Sequence, residues 1–413
     1  MKKGKTIKRN SCRLCQSKKL TEILDFGFMP LAGDYLLKKD LGKEKVYPLK
    51  IYYCNNCYLV QVLNVIKPDT LFGNYHYLSS IGLTEHFKKY AQEMVNKFIN
   101  RGGFVVEIGS NDGVLLQPLK RHGIRVLGVD PAKNVARIAI KQGYDTLIDY
   151  FGVRVVEKII KEKGKADAVF ANNVLAHIDD LDDVISGIKL LLKPEGVLVF
   201  EVHYLYDLIA KLQYDFFYNE HLSYYTLTSL IPFLKKFGLV IFDVKKIPIH
   251  SGSIRVYVKS KKNSLIRVKK NVKNILENEK KEGVLGEEKL MEFALRVYEH
   301  KKRLRELLVN LKRSGEKIVG YGASGRGNTL LNFCKIDNKI IDYIVDESSE
   351  RQNRYTPGTH IPIVAPDIFR KDDVKHALLL AWNYKDIIGE KEKEFIKKGG
   401  KFVVPLPNIH YYP

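Results

Sequence analysis

Glu107-Ile108-Gly109-Ser110-Asn111-Asp112-Gly113, fed by Phe104-Val105-Val106 and followed by Val126-Leu127-Gly128-Val129-Asp130, sets out strand, glycine turn, helix, strand and acidic end in one short stretch. That order opens an α/β cofactor-binding domain, in which ligands sit beyond the carboxyl ends of parallel strands. A dinucleotide fold spaces its glycines as G-x-G-x-x-G, because the helix N-terminus must approach a pyrophosphate closely. Here Gly109 and Gly113 stand four apart, and Glu107 lies two places before the first of them. The spacing suits a ligand with no phosphate to cradle.

An E-x-G-x-x-x-G turn is typical of enzymes that use S-adenosylmethionine (SAM). The backbone at Gly109, Ser110 and Gly113 would approach the methionine part, Glu107 or Asp112 would engage its ammonium, and Asp130 would accept both ribose hydroxyls. Asn111, Asp149, Asn172 and Asn173, near the same strand ends, complete the candidate cofactor-binding set. An ordinary glycine turn in an α/β protein is the competing reading of the motif alone.

At 413 residues the chain predicts two or three domains, and 45% hydrophobic residues suffice for buried cores. Its formal charge of +22 invites a polyanion. The lysines are scattered rather than clustered, which favours a solvated surface over a nucleic-acid face. Residues 1–10 are basic and run into Ser11-Cys12 with no apolar core, so neither a secretory signal nor an anchor is expected there. No apolar run approaches the roughly 18–20 residues of a membrane span. A cytoplasmic monomer with reduced cysteines is the expectation, with no nucleic-acid or membrane partner.

Cys12-Arg13-Leu14-Cys15 and Cys54-Asn55-Asn56-Cys57 hold four of the five cysteines. Two C-x-x-C knuckles supply tetrahedral zinc with four thiolates, and a fully thiolate site leaves no open position, so the metal is expected to be structural. A thioredoxin-type redox pair is the alternative, although neither pair sits in a clear strand-to-helix turn. Cys334 is expected to pack as a small hydrophobe.

Four regions follow. Residues 1–75 form the cysteine module, 76–259 the SAM domain, 260–313 a charged helical connector, and 314–413 a second α/β domain. Helical periodicity spans 83–99, and strands are expected at 104–108, 125–130, 168–171, 196–202, 239–246 and 253–259, which makes a doubly wound sheet. In the last region Lys317-Ile318-Val319-Gly320-Tyr321-Gly322-Ala323-Ser324-Gly325-Arg326-Gly327 runs from strand into glycine turn, and residues 340–346 form a strand that ends in Asp346. This spacing does match G-x-G-x-x-G, so a dinucleotide site or another nucleotide's phosphates could sit there. Duplication of the first domain would make Gly109 and Gly320 head equivalent turns.

Two histidines follow strand ends in the SAM domain. His177 comes after Phe170-Ala171-Asn172-Asn173-Val174, and His221 lies in Phe217-Tyr218-Asn219-Glu220-His221-Leu222-Ser223-Tyr224. One such histidine is ordinary; two at neighbouring exits, one inside an aromatic and acidic cluster, point to function. If methyl transfer is to carbon, a proton must leave first. A ketone acidifies the neighbouring C–H, given a base and a donor to the enolate oxygen.

The chain resembles the SAM-dependent sugar C-methyltransferases that act on nucleotide-linked 4-keto-deoxysugars. The resemblance covers nearly the whole chain. It runs through Leu24-Asp25-Phe26-Gly27, Met29-Pro30-Leu31-Ala32, Tyr75-His76-Tyr77-Leu78-Ser79-Ser80, the Glu107 turn, Asn172-Asn173-Val174-Leu175-Ala176-His177 and Tyr218-Asn219-Glu220-His221. It continues through His250-Ser251-Gly252-Ser253-Ile254-Arg255, Gly320-Tyr321-Gly322-Ala323-Ser324, Tyr355-Thr356-Pro357-Gly358-Thr359-His360-Ile361-Pro362 and Trp382-Asn383. It implies a zinc-bearing N-terminal module, a central SAM domain, and a C-terminal domain of similar fold that helps bind a dTDP- or GDP-linked sugar. His221 would remove the proton beside the ketone, usually at C3. Tyr218 and His177 would serve the oxyanion, Glu220 would orient the site, and Tyr75 and Tyr77 would close over the sugar. Ser79, Ser80, Arg255, Arg326, Arg351, Tyr355, Pro357, Gly358, Trp382 and Asn383 are the implied substrate-binding residues.

Gly82 stands where the family commonly has a third serine, and Arg351 and Asn353 stand where it has lysine and glycine. Arginine keeps the charge and improves bidentate phosphate recognition. Asparagine tolerates the left-handed backbone that glycine would allow. Two rival readings are an RNA methyltransferase, suggested by charge and zinc, and an NAD(P)-dependent oxidoreductase using the turn at Gly320. Against the first, Asn172-Asn173-Val174 is not an Asn/Asp-Pro-Pro-Tyr motif, and no basic module with interleaved aromatics stands out.

Overall fold

The computed structural model describes residues 2–73, 75, 77–283 and 286–413. Strands β1 (Leu20–Pro30), β2 (Lys45–Cys54) and β3 (Val60–Val62) pair antiparallel in that order and carry the cysteine knuckles. Helix α1 (Ser80–Phe98) then leads into the central sheet. Its strands are β4 (Phe104–Ile108), β5 (Arg125–Val129), β6 (Thr146–Leu147), β7 (Ala166–Asn172) and β8 (Leu192–His203). After the short strand β9 (Ser223–Tyr224), β10 (Leu239–Ile247) and β11 (Ser253–Ser260) complete it.

The order across the central sheet is β10-β11-β8-β7-β4-β5-β6, with β11 antiparallel to both its neighbours and the rest parallel. All five residues of β4 are buried, as expected for a strand covered by helices on both faces. Every strand expected in this sheet forms, whereas the one expected at 340–346 in the last domain shortens to Ile344–Val345. The helix expected at 83–99 starts earlier, at Ser80, and is bent at Ile81 and Gly82, where Gly82 takes φ +90°.

β9 is not in the central sheet. Ser223 and Tyr224 pair antiparallel with Gln61 and Val60, so the residues directly after His221 form an edge of the cysteine-module sheet. Two residues are too few to show alternation in sequence.

Helices α2 (Lys270–Lys281) and α3 (Glu287–Arg313) occupy the connector region. The fully buried carboxylate of Glu279 accepts from the Leu227 and Thr228 backbone N–H groups at 2.7 and 2.9 Å, and from the Tyr204 and Thr228 hydroxyls. Leu227 and Thr228 open the helix Leu227–Lys236, whose N-terminus favours an anion, so this contact pins α2 to the central domain. The last domain has β12 (Ile318–Tyr321), helix α4 (Gly325–Cys334), and strands β13 (Ile344–Val345), β14 (Ile363–Val364), β15 (His376–Leu379), β16 (Lys401–Val404) and β17 (His410–Tyr412). They order as β14-β13-β12-β15-β16-β17, parallel except for β17.

The cysteine module and the last domain share one apolar core. Phe26 of β1 packs its ring 4.6 Å from Phe333 of α4 and 6.1 Å from Phe217, and Leu36 bridges to Tyr355. Among the described residues, no helix is long and apolar enough to cross a membrane.

Candidate active site

At the end of β4, Gly109 takes φ +66° and donates its N–H to the Val129 carbonyl at 2.8 Å. A Cβ at this position would lie 2.9 Å from Val174 Cγ2, so both backbone and space require glycine. Asp130, at the end of β5, accepts the Asn111 N–H with one oxygen and the Ala132 N–H with the other, each at 2.8 Å. Each oxygen retains a lone pair for a ribose hydroxyl.

Buried polar atoms without partners gather around this turn: Glu107 Oε2, Ser110 Oγ, Asp112 Oδ1, Asn173 Oδ1 and both side-chain polar atoms of Asn172. Buried polar groups in native proteins are almost always satisfied, so such a concentration marks a missing polar ligand. Donors, acceptors and a carboxylate in this mix fit the amino acid and ribose parts of SAM. Burial holds the Glu107 carboxyl well above the usual carboxylate range.

Asn111 and Asp112 also do something the motif does not show. Asn111 accepts the Ser79 N–H and donates to the Tyr77 carbonyl, both at 3.0 Å, while Asp112 accepts the Ser80 N–H at 3.1 Å. Asn134 clamps the Tyr75 backbone through both its N–H and its carbonyl. The segment bearing Tyr75, Tyr77, Ser79 and Ser80 is therefore laced onto the cofactor turn; His76 of the same string lies outside the described residues. Asp149 is placed differently: Arg154 Nη2 binds both its oxygens at the surface, at 2.7 and 2.8 Å, which engages it outside the orphan cluster.

Beyond the strand ends lies a cluster of imidazoles. His221 Nδ1 faces the Phe216 carbonyl at 3.1 Å, and its Nε2 lies 2.9 Å from the Tyr218 hydroxyl. A carbonyl can only accept, so Nδ1 carries the proton and the Nε2 lone pair accepts from Tyr218. The His177 ring is 4.9 Å from His221, and His203 lies 5.0 Å from His221 and 5.4 Å from His250. Burial drives His221 and His203 well below the ordinary histidine range, and His177 and His250 to about 4. All four rings are uncharged at neutral pH. Burial likewise lifts Glu220 to about 7 and Tyr218 well above the phenol range.

His203, at the end of β8, and His250, at φ +54°, are the members the sequence reading missed. The strand-exit rule that found His177 applies equally to His203; no periodic element announces His250. Also unforeseen is a pair in which both oxygens of buried Glu201 lie 2.9–3.0 Å from Nε2 of partly buried His86.

That pair accounts for Arg255. Its guanidinium contacts Glu201 at 2.7 Å and Glu93 at 3.1 Å, 3.6 Å over the Tyr90 ring, so its charge is committed inside the protein rather than offered to a substrate. Arg326 binds Asp215 in a fork, both contacts at 3.0 Å, and Trp382 Nε1 donates to the same carboxylate at 2.9 Å. The Arg326 guanidinium also lies 4.3 Å over Phe216, beside the histidines. Arg351 donates to the Ala323 carbonyl at 2.9 Å and lies 5.5 Å over the Tyr35 ring, while the Tyr77 side chain is exposed. Asn383 sits between Trp382 and Tyr384 in the same short helical turn.

Tyr355, Pro357 and Gly358 have a packing task. Tyr355 exchanges backbone hydrogen bonds with Leu36, the Pro357 carbonyl accepts from Asn332, and Gly358 N–H donates to Glu44, which also binds His360. This turn joins the last domain to the cysteine module, which differs from the substrate contact expected of it. Asn353 takes φ +62°, the left-handed conformation expected of it.

The turn after β12 repeats the first. Gly322 takes φ +88° and donates to Val345 at 2.8 Å, and Ala323 N–H donates to Asp346 at 2.7 Å, matching Gly109, Val129, Asn111 and Asp130. Gly322, not Gly320, is thus the counterpart of Gly109. Gly320 lies inside β12, where a Cβ would meet Ile344 at 2.8 Å. Ala32 of the cysteine module packs against Gly325 and its carbonyl accepts from Asn328 at 2.6 Å, covering the helix N-terminus that a dinucleotide pyrophosphate would use.

The four thiols of Cys12, Cys15, Cys54 and Cys57 lie within 4.8 Å of one another, with Cys12 to Cys57 at 3.4 Å and Cys15 to Cys54 at 3.6 Å. Tetrahedral zinc with bonds of about 2.3 Å requires sulfurs about 3.8 Å apart. The two knuckles are copies of each other: Gln16 and Tyr58 both take left-handed φ, and each donates its N–H to the first cysteine's carbonyl at 2.9 Å. The thiolate set fits zinc.

Three family models match in succession: a zinc binding domain over residues 12–72, a methyltransferase domain over 74–244, and a C-methyltransferase C-terminal domain over 248–407. The C-methyltransferase NovU of Streptomyces niveus is 35% identical over 402 residues, 96% of each chain. A ubiquinone biosynthesis O-methyltransferase of Rhodopseudomonas palustris is 35% identical over 97 residues, 23% of this chain and 38% of that one. Among solved structures, magnesium protoporphyrin IX methyltransferase of Synechocystis PCC 6803 with bound SAM matches at 15% identity and TM-score 0.34, over 44% of this chain and 80% of that one. A cysteine set shaped for zinc, a SAM turn with its orphaned polar atoms, and a full-length match to NovU together place this chain in the SAM-dependent C-methyltransferase family.

Proposed function

We propose that the chain methylates the carbon beside the ketone, C3, of a nucleotide-diphosphate-linked 4-keto-deoxysugar. The observation that carries this reading is the uncharged Tyr218–His221 pair, whose Nε2 lone pair is held by a single hydroxyl donor at 2.9 Å. A keto-sugar entering the site gives the Tyr218 hydroxyl a new acceptor, the ketone oxygen. As that hydrogen bond forms, His221 Nε2 is released to take the C3 proton. The Phe216 carbonyl, already bonded to Nδ1–H, stabilises the imidazolium that results. Tyr218 then holds the enolate oxygen. Glu107, Ser110, Asn172 and Asp130 would hold SAM, which would supply an electrophilic methyl group to the carbon so activated, its sulfur–methyl bond breaking to leave S-adenosylhomocysteine. Partly buried Glu220 and His177 shape the polarity around the base, and Tyr75 and Tyr77 close over the sugar.

In this division of labour residues 1–75 hold zinc, 76–259 bind SAM and carry the base, 260–313 connect, and 314–413 support the nucleotide. Arg326, Arg351, Trp382, Asn383 and Tyr384 are the last domain's candidates for the diphosphate and base, supported by the approach of Arg326 to Phe216 and to the Trp382 ring. The covering of Gly325 by Ala32 disfavours an NAD(P) site at that turn. The test is a panel of dTDP- and GDP-linked 4-keto-6-deoxysugars with SAM, read by product mass and by deuterium uptake from solvent at C3. Mass gain on oxygen or nitrogen, or no exchange at C3, refutes the proposal.

A further inference from the structure

Arg13 stands between the cysteines of the first knuckle, and its side chain is fully buried. Its guanidinium reaches three separate segments. Nη1 donates to the Leu222 carbonyl at 2.9 Å, Nη2 to the Val62 carbonyl at 2.9 Å, and Nε to Asp179 at 3.0 Å. Leu222 follows His221 directly, and Asp179 lies two residues past His177. Leu222 N–H in turn donates to the carbonyl of Ala176, the neighbour of His177, at 2.7 Å, and its carbonyl also accepts the Val62 N–H at 3.0 Å. One guanidinium thus ties together the two loops whose imidazoles approach within 4.9 Å, and fastens both to the metal knuckle.

We infer that Arg13 is a positioning residue for the His177–His221 pair, through which the zinc knuckle sets the geometry of the catalytic base. The physical basis is the sensitivity of proton transfer to placement, where a 1 Å error costs on the order of a hundredfold. Lysine cannot replace the guanidinium, because a single ammonium cannot span acceptors on three segments in fixed directions. The inference rests on the assignment of His221 above, so its test has one readout that needs no substrate.

The experiment compares zinc-loaded, SAM-bound parent with Arg13→Lys and Arg13→Gln, using nitrogen-15 imidazole NMR and steady-state kinetics. The His221 Nδ1–H signal is identified by its loss in His221→Asn. His300, whose Nε2–H donates to the distant Pro405 carbonyl at 2.6 Å, serves as the internal control. The expected result is one zinc per chain, SAM affinity within about twofold of the parent, and an unchanged His300 signal. Against that background the His221 signal shifts or exchanges faster, and kcat falls at least about tenfold with KM little changed. A parent-like His221 signal overturns the inference. So does a joint loss of the His300 signal, SAM binding and zinc, which would make Arg13 merely structural. If Arg13→Lys does not fold, Asp179→Asn, altered at the partner nearest solvent, must shift His221 in the same sense, and no shift there overturns it too. A parent inert on every keto-sugar would refute the proposed substrate, leaving the His221 signal to decide the role of Arg13.

Discussion

Replacing Glu220 by glutamine separates what this carboxyl does for the fold from what it does for the reaction. Burial raises it from 4.5 to about 7 with no cationic partner to offset the cost. A shift of that size corresponds to about 3 kcal/mol at 1.36 kcal/mol per unit, reduced to about 2 kcal/mol because the side chain is only partly removed from water. The sign follows from proton counting. Between the unfolded and folded values the native chain holds a proton that the unfolded chain has released, so stability falls as pH rises through this window and levels off above it. Glu220→Gln has no such proton. Melting curves of variant and parent should coincide near pH 4, diverge between about 4.5 and 7, and leave the variant more stable at pH 8. Turnover should move the opposite way. Ionised Glu220 favours the imidazolium at His221, so the parent's kcat should rise with pH through about 7, and the variant should lack that limb. A stability difference independent of pH, or a parent more stable than the variant at pH 8, would show that burial is not what raises this group.

His221→Ala should lower turnover by at least about a hundredfold while isothermal titration shows SAM binding intact; a loss within about tenfold is too small for a general base and would remove that assignment. Gly109→Ala forces a side chain into φ +66° and against Val174, a strain of about 1–2 kcal/mol, so SAM affinity should fall about tenfold. Unchanged affinity would mean that the turn does not hold the cofactor as described. Cys12→Ser should release zinc, measured by atomic absorption, and expose residues 12–72 to protease, since metal binding and folding are coupled in such modules. A variant that folds normally and loses only turnover would contradict a structural zinc.

What could be read from the sequence was local. The turn from Ile108 to Gly113, the acid at Asp130 and the two cysteine knuckles each satisfy their requirements within a few residues, so spacing alone exposes them. Partners chosen across the fold left no such trace. Arg255 carries the same charge whether it meets a phosphate or Glu201, and only the register of β8 against β11, which sets Glu201 opposite Arg255, decides between them. The same holds for Tyr355 to Gly358, whose turn residues look like a ligand loop until Leu36 and Glu44 are seen to hold them. The error at Gly320 has a simpler cause. Glycines match by their place relative to the strand end, and Gly322, like Gly109, is the first residue beyond its strand.

The four uncharged imidazoles explain why the domains are fused so tightly. A neutral histidine base at physiological pH needs no burial, because an exposed one is already largely neutral there. Burial instead strengthens the Tyr218 hydrogen bond and lets one hydroxyl hold the Nε2 lone pair until a substrate oxygen competes for it. Water entering the site would supply competing donors and end that control. Keeping it out takes all three parts: β9 paired with the cysteine module behind His221, Arg326 and Trp382 closing on Asp215 beside Phe216, and the backbone of Tyr77, Ser79 and Ser80 laced to Asn111 and Asp112. The base is therefore a product of the assembly, and cutting any one of these seams should raise the His221 pKa toward the ordinary histidine range before the protein unfolds, as read from the titration of its ring signal.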